Sequence, residues 1–289
     1  MRVSVIVPVY DDPRIEACLA AIVPQTRAAA GRGVEILVID NGSREGIRRI
    51  CRRFGRHVVY LSEPRPGAYA ARNAGLGVAR GELIAFTDAD CLPAADWLCA
   101  GWRAFEDTAA QVVTGPVDVF AGDPERPGAI EIHQLCTAFQ IRRYVDAYGF
   151  GPTANLWARA AVVRKVGLFD DSLPSGGDVE WCRRAVAAGF PVRFEEGLIV
   201  GHPARATWGA ITANARRLTG GHLALASREK RVPELMRRRL WPRQAVGSLL
   251  SATRFSRAQR GMALLVELWL YVVRLAELGR LLLGGRPVR

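Results

Sequence analysis

The segment Thr87-Asp88-Ala89-Asp90 places two carboxylates one residue apart, directly after an apolar run at 83–86. In a loop at a strand end, such a pair can share a hard divalent cation and a phosphate-bearing ligand. Mn²⁺ or Mg²⁺ prefers oxygen ligands and is often bound through one or two carboxylates plus substrate phosphates. The plain alternative is a solvated turn, where Asp is common. A third carboxylate, Asp40, closes the apolar run before Asn41-Gly42-Ser43. It can hydrogen-bond a base or ribose, and Asp40, Asn41 or Ser43 can equally cap the next helix. In Gly67-Ala68-Tyr69-Ala70-Ala71-Arg72-Asn73-Ala74-Gly75, Arg72 can reach phosphate or base and Asn73 can order the site. The alternative there is close helix packing through the small residues. In Gly176-Gly177-Asp178-Val179-Glu180-Trp181, Asp178 is either a helix N-cap, with Glu180 a favourable first-turn acid, or a general base facing a sugar hydroxyl. The glycines would permit close approach of backbone and ligand. His202, in Gly201-His202-Pro203, is either a structural histidine or the completion of a metal or diphosphate site.

These residues need elements to carry them. Residues 3–7, 34–39, 58–61 and 83–87 read as buried strands, and 13–30, 44–56 and 66–80 as helices. Continuous apolar strands separated by helices predict a largely parallel sheet with helices on both faces. Ligands sit beyond the carboxyl ends of such strands, which is where Tyr10, Asp11, Asp40 and Asp88 fall. Further on, 112–119 reads as one strand, 130–144 as one helix, and 155–158, 160–166, 178–188 and 192–194 as strand, helix, helix and strand. Residues 207–283 read mainly as helix, with breaks at Gly220-Gly221, Pro233 and Pro242.

Charge is unevenly spread. Residues 1–203 hold 23 basic and 24 acidic side chains, whereas 204–289 hold 17 and 4, so the net +12 of the chain belongs to its end. A basic end of this kind calls for its own partner. The six cysteines form no Cys-x-x-Cys pair and no zinc-finger spacing with histidine, which predicts reduced thiols and a cytoplasmic protein. The N-terminus reads as a first strand rather than a signal peptide. The apolar stretch 262–283 is interrupted by Glu267, Arg274, Glu277 and Arg280 and falls short of a spanning helix.

Five segments occur in one order: Val5-Ile6-Val7-Pro8-Val9-Tyr10, Ile39-Asp40-Asn41-Gly42-Ser43, Ala71-Arg72-Asn73-Ala74-Gly75, Thr87-Asp88-Ala89-Asp90 and Gly177-Asp178-Val179-Glu180. Over residues 1–203 the chain resembles the family 2 glycosyltransferases. The resemblance implies an α/β GT-A catalytic domain at 1–203, with 204–289 a basic, mostly helical extension. It implies a nucleotide-diphosphate sugar donor of the UDP, GDP or TDP type, a glycan or lipid-linked acceptor, and inversion at the anomeric carbon. Pro8, Val9, Tyr10 and Asp40 would hold the nucleoside, with Arg72 and Asn73 nearby. Asp88 and Ala89 would meet ribose or sugar, and Asp90, with Asp88 and His202, would hold Mn²⁺ or Mg²⁺. Asp178 matches the catalytic base. Many relatives carry Glu-Asp where this chain has Gly177-Asp178, so Glu180 would compensate. Asn155, Gly177, Glu180 and Trp181 would line the sugar and acceptor pocket. The Gln-x-x-Arg-Trp signature of processive synthases is missing, which favours transfer of a single sugar.

Two other classes fit the residues less well. A nucleotidyltransferase would favour a Gly-rich, Lys-containing loop after the first strand, where this chain has Tyr10-Asp11-Asp12-Pro13. A nucleic-acid binder would explain the basic end but not carboxylates at strand ends, which repel phosphate. On a helical wheel of residues 260–282, Arg260, Glu267, Arg274, Glu277 and Arg280 fall on one half and Leu264, Leu265, Leu268, Val272, Leu275, Leu278 and Leu282 on the other. Arg228, Lys230, Arg231, Arg237, Arg238, Arg239 and Arg243 lie upstream. Such a segment can lie on an anionic membrane from the cytoplasmic side, or its apolar stripe can cover the catalytic core or a second subunit.

Overall fold

A computed structural model describes residues 1–28, 31–44, 46–107, 109–229 and 242–288. The chain divides into two compact units. The first comprises Met1–Asp118, Gln140–Asp171 and Gly177–His202; the second comprises Val119–Phe139, Ser172–Gly176 and Pro203–Arg289.

Among the described residues ten strands run in chain order: β1 Val3–Val9, β2 Val34–Asp40, β3 Val58–Ser62, β4 Leu83–Thr87, β5 Leu92–Pro93, β6 Val112–Thr114, β7 Val117–Phe120, β8 Asn155–Arg159, β9 Val192–Phe194 and β10 Val200–Pro203. The helices are α1 Ile15–Ala28, α2 Ile47–Arg53, α3 Ala68–Val78, α4 Trp97–Ala104, α5 Ala129–Thr137, α6 Ile141–Tyr148, α7 Ala160–Val166, α8 Gly177–Ala187, α9 Trp208–Glu229, α10 Arg243–Ser251 and α11 Arg257–Leu282.

A seven-stranded sheet of order β3-β2-β1-β4-β8-β6-β9 forms the first unit. Strands β3, β2, β1 and β4 are mutually parallel, and only β8 runs against its neighbours. The apolar runs become central strands because both of their faces are buried. The register sets Val9 beside Asp40 and Ile6 beside Phe86. The carboxyl ends of β1, β2 and β4 therefore meet on one edge, as the sequence predicted. Helix α3 lies close on β1: a Cβ on Gly75 would stand 2.7 Å from Ile6 Cγ2.

Two expected elements are split. The strand expected at 112–119 breaks at Gly115-Pro116 into β6 and β7, which belong to different sheets. A Cβ on Gly115 would stand 2.1 Å from the Leu198 carbonyl oxygen, so only glycine fits there. The helix expected at 130–144 ends at Thr137, whose hydroxyl turns back to the His133 carbonyl at 2.7 Å. Phe139 then takes a left-handed φ of 48° before α6 begins.

The second unit contains α5, α9, α10 and α11. Ile130, Ile211, Ala215, Val266 and Leu270 form one apolar cluster, and Ile132, Leu249 and Ala263 another. Helix α9 runs straight through Gly220-Gly221, where a break was expected. A Cβ on Gly221 would stand 2.5 Å from the Ser175 carbonyl oxygen, so the glycine serves packing. The expected break at Pro233, and the cations at 230, 231 and 237–239, lie outside the described residues.

The charged half of α11 does not face solvent as the wheel suggested. Glu267 and Glu277 are buried. Glu267 is held by His133 Nε2 at 2.6 Å and by Arg274 Nη1 at 2.7 Å. Glu277 is held by Arg216 Nε at 2.8 Å and by Arg280 Nη2 at 2.5 Å. Two partners per carboxylate offset the cost of desolvation. Burial alone would raise the Glu267 carboxyl, but the hydrogen bonds from His133 and Arg274 outweigh it and hold the group below the ordinary value. A folded-state value below the unfolded one adds stability above the unfolded value, which is lost as pH falls through the folded one. Glu267→Gln is expected to lower thermal stability at neutral pH and to flatten its acid dependence, measured as Tm against pH. Parallel curves for the two proteins would contradict this.

Candidate active site

At the ends of β1 and β2 the site is built by short hydrogen bonds. The Asp40 carboxylate accepts from the Ser43 amide at 2.9 Å and from the Tyr60 hydroxyl at 2.6 Å. Burial, then this bond, pushes the Tyr60 phenol up to about 12. The Asn41 side chain donates to the carbonyls of Glu63 and Arg65 at 3.0 and 2.7 Å, and its oxygen accepts from the Gly67 amide at 2.7 Å. It thereby ties the ends of β2 and β3 to the start of α3. Pro8 is half-buried and Val9 buried, whereas Tyr10 is 60% exposed. Asp11 beside it holds a φ of 45°, fixed by a 2.8 Å bond from its amide to Ser43 Oγ.

The end of β4 carries the paired carboxylates, which take different partners. Asp88 Oδ1 accepts from Arg72 Nη2 at 2.5 Å. Arg72 is buried, its guanidinium lies 5.6 Å from the Tyr69 ring centroid, and its Nε has no hydrogen-bond partner. Ala89 is buried between the two acids. Asp90 Oδ2 faces His202 Nε2 at 3.6 Å and Arg14 Nη2 at 3.4 Å. Arg14 is itself anchored to Asp12 at 2.6 Å. Burial first, then the nearby Asp88 and Asp12 carboxylates, pushes the Asp90 carboxyl above its ordinary value, and His202 and Arg14 pull against this.

Asp90, His202 and Cys91 bring ligand atoms within 4.8 Å of one another. Burial pushes the Cys91 thiol well up, so it stays protonated and makes a poor ligand for a hard ion. Carboxylate oxygen and imidazole nitrogen suit Mn²⁺, and an acid crowded by two others is short of positive charge. These residues fit a divalent cation. Asp88, also expected as a ligand, gives its Oδ1 to Arg72.

Helix α8 brings the third group. Asp178 lies in its first turn, where its Oδ1 accepts from the Val179 amide at 2.9 Å. A Cβ on Gly177 would stand 2.7 Å from the Tyr69 ring. The glycine expected to let a ligand approach thus admits the ring that carries Arg72, linking the start of α8 to the Asp88 pair. Asn73 is spent on the Phe169 main chain, donating at 2.8 Å and accepting at 3.0 Å. It clamps the segment that precedes α8.

Three residues expected in the acceptor pocket take partners within the protein. Asn155 is fully buried, accepts from the Trp97 indole at 3.0 Å, and donates to the carbonyls of Pro116 and Leu198 at 3.0 and 2.6 Å. Trp181 is fully buried, donates to the Gly167 carbonyl at 2.8 Å, and packs 5.7 Å from Phe169. Both are core residues, because each polar atom finds its partner inside. Glu180 is gripped by Arg184 of its own helix at 2.6 and 2.9 Å. Asn155→Ala is expected to cost about 1–3 kcal/mol or more, because it leaves buried partners unpaired. Denaturant melts check this; an unchanged midpoint would contradict it.

The model of the family described as "Glycosyl transferase family 2" matches residues 4–167. The chain belongs to glycosyl transferase family 2. Over 208 residues the glycosyltransferase is 36% identical to the glycosyltransferase AglE of Haloferax volcanii, a match covering 70% of this chain and 67% of the relative. It is 30% identical to the pre-mycofactocin glycosyltransferase of Mycobacterium tuberculosis over 181 residues, 60% of this chain but only 38% of that relative. Among solved structures it resembles a mannosyltransferase of Pyrobaculum calidifontis in complex with GDP-Man and Mn²⁺. That match has a TM-score of 0.66 and 21% identity, and covers 97% of this chain and 87% of that one. It also resembles S. aureus TarS in complex with UDP-GlcNAc, with a TM-score of 0.57 and 15% identity, covering 99% and 93% of the two chains. The fold is accordingly GT-A with a helical C-terminal region.

Sequence reasoning missed several members of this glycosyltransferase's site. Asn41 was seen only as a cap, and its spacing gave no sign of a three-way tie. Asp12 fell in the loop after the first strand and Arg14 in the helix expected at 13–30, and neither was expected in the site, although a basic residue close after the strand-end Tyr10 was a usable signal. Tyr69 gave none beyond its place in the small-residue helix.

Proposed function

We propose that the enzyme transfers a single sugar from a UDP-, GDP- or TDP-type donor to a hydroxyl of a glycan or lipid-linked acceptor, with inversion. The observation that carries this reading is the run of contacts within one unit that leads from the Asp88–Arg72 pair through the Tyr69 ring to Gly177 at the start of α8, with Asp90 and His202 paired two residues on from Asp88. The nucleotide sugars bound by the structural relatives support the donor class.

In this reading Tyr10 presents its ring to the base and Asp40 braces the loop beneath it. Arg72, buried and fixed, holds Asp88 as a rigid acceptor for a sugar or ribose hydroxyl. Asp90 and His202 would hold Mn²⁺ or Mg²⁺, which supplies positive charge against the departing diphosphate. Asp178 takes the proton of the acceptor hydroxyl as that oxygen attacks the anomeric carbon on the face opposite the nucleotide. All six cysteines are unpaired, which suits a reducing cytoplasm where nucleotide sugars are made.

A thermal-shift panel of UDP-, GDP- and TDP-sugars tests the donor class. One class should raise Tm with Mn²⁺, and EDTA should abolish the rise. Ligand at about 100 times Kd adds about 2.7 kcal/mol of stability, enough for a clear shift. No response to any nucleotide sugar would contradict the proposal.

A further inference from the structure

Helix α11 buries carboxylates and exposes leucines. Ala263, Val266, Glu267, Leu270 and Glu277 point inward. Met262, Leu265, Leu268, Trp269, Val272 and Leu275 point outward, each 43% to 64% exposed. The side ends on Leu282 and Leu283, 70% and 91% exposed. Among the described residues from 258 to 283, every charged residue is buried or half-buried. The Trp269 indole donates to Thr212 Oγ1 at 3.0 Å, so the polar atom of that ring is satisfied within the unit. Trp208 stands edge-on to it at 6.1 Å and is half exposed. The helix has 26 residues and spans about 39 Å. Scattered exposed leucines need no explanation, but a continuous strip of this length marks an interaction site.

The surroundings of the strip select its partner. Arg254 and Arg257 are exposed ahead of it and Arg286 after it. Among the described residues of 204–289, 11 basic and 3 acidic side chains give a net +8. A second copy docked on this strip would bring two such charges together, which like-charge repulsion opposes. An anionic lipid surface attracts the cations and accepts the apolar side at once. Tryptophan is favoured at the boundary between headgroups and water. Among the described residues no helix is long and apolar enough to cross a membrane. We infer that α11 is a docking face for an anionic lipid surface, lying in the interfacial plane with its outward side in the headgroup and acyl boundary. The surface is independent of the transfer reaction, so its failure would leave the donor site untouched.

Flotation of the full chain with lipid vesicles tests the inference. One set is phosphatidylcholine alone, and the other is phosphatidylcholine with phosphatidylglycerol in equal parts. The protein should float with the anionic set and much less with the neutral one. Leu265→Glu with Val272→Glu changes only exposed positions and should cut the bound fraction at least about tenfold, since each leucine-sized contact is worth about that factor. Arg257→Gln with Arg286→Gln leaves the strip intact and should weaken binding to anionic vesicles alone. Circular dichroism and nucleotide-sugar thermal shift should be unchanged in both variants. Absence of flotation with either set would overturn the inference. So would flotation unaffected by both variants, or a lipid-free dimer that the glutamates convert to monomer.

Discussion

Asp178→Asn is expected to lower kcat for transfer by about 10²–10⁴-fold, the usual share of a general base, with donor affinity unchanged. The substitution keeps the shape of the side chain and its ability to accept from the Val179 amide, so the start of α8 should hold. What it removes is the proton acceptor. The residues proposed to hold the donor, Tyr10, Asp40, Arg72 and Asp88, lie outside α8 and are not altered. The expected split is therefore in kcat alone. A matched loss of donor binding would mean that Asp178 positions the nucleotide sugar. Full activity would remove Asp178 from the mechanism, since no other group was matched to that role.

Asp90→Ala is expected to weaken Mn²⁺ binding by more than about 100-fold. Loss of a residue that merely supports a metal ligand already costs 10- to 100-fold, and here a ligand itself is removed. The same change should leave the metal-free protein as stable as before, or more so. Burial and the Asp88 and Asp12 carboxylates crowd Asp90, so its charge is a burden until a cation arrives. Function and stability should thus move in opposite directions, as at many active sites. Electron paramagnetic resonance of free Mn²⁺ measures the first and a metal-free melt the second. Unchanged Mn²⁺ affinity, or a large fall in metal-free Tm, would make Asp90 structural.

The carboxylates at the ends of β2 and β4 were legible because buried parallel strands are apolar runs with polar ends, and the topology then brings those ends together. His202 was offered for a metal or diphosphate site from its place after the Gly176–Trp181 segment, and the fold sets it 3.6 Å from Asp90. The assignments of Asn155 and Trp181 to the pocket show where sequence reasoning stops. A polar side chain in a strand or helix becomes core when partners such as Trp97, Pro116 and Leu198 arrive from distant segments. Nothing local to Asn155 announces them. The orientation of α11 was hidden for a related reason. A wheel separates two sides, but which one turns inward depends on whether the acids find partners. His133 and Arg216 supply those partners from α5 and α9. The split at Gly115-Pro116 was marked by a Gly-Pro pair, a turn signal that the expected strand overrode, whereas nothing of that kind marks Phe139.

The central claim is that the crevice at the ends of β1, β2 and β4 is a joint site for a nucleotide sugar and a divalent cation. Calorimetric titration of the full chain with the responding nucleotide sugar tests this most directly, once with excess Mn²⁺ and once in EDTA. The account predicts saturable one-to-one binding with Mn²⁺ and a large loss of affinity in EDTA. Equal affinity in the two conditions, or no binding by any UDP-, GDP- or TDP-sugar, would contradict it.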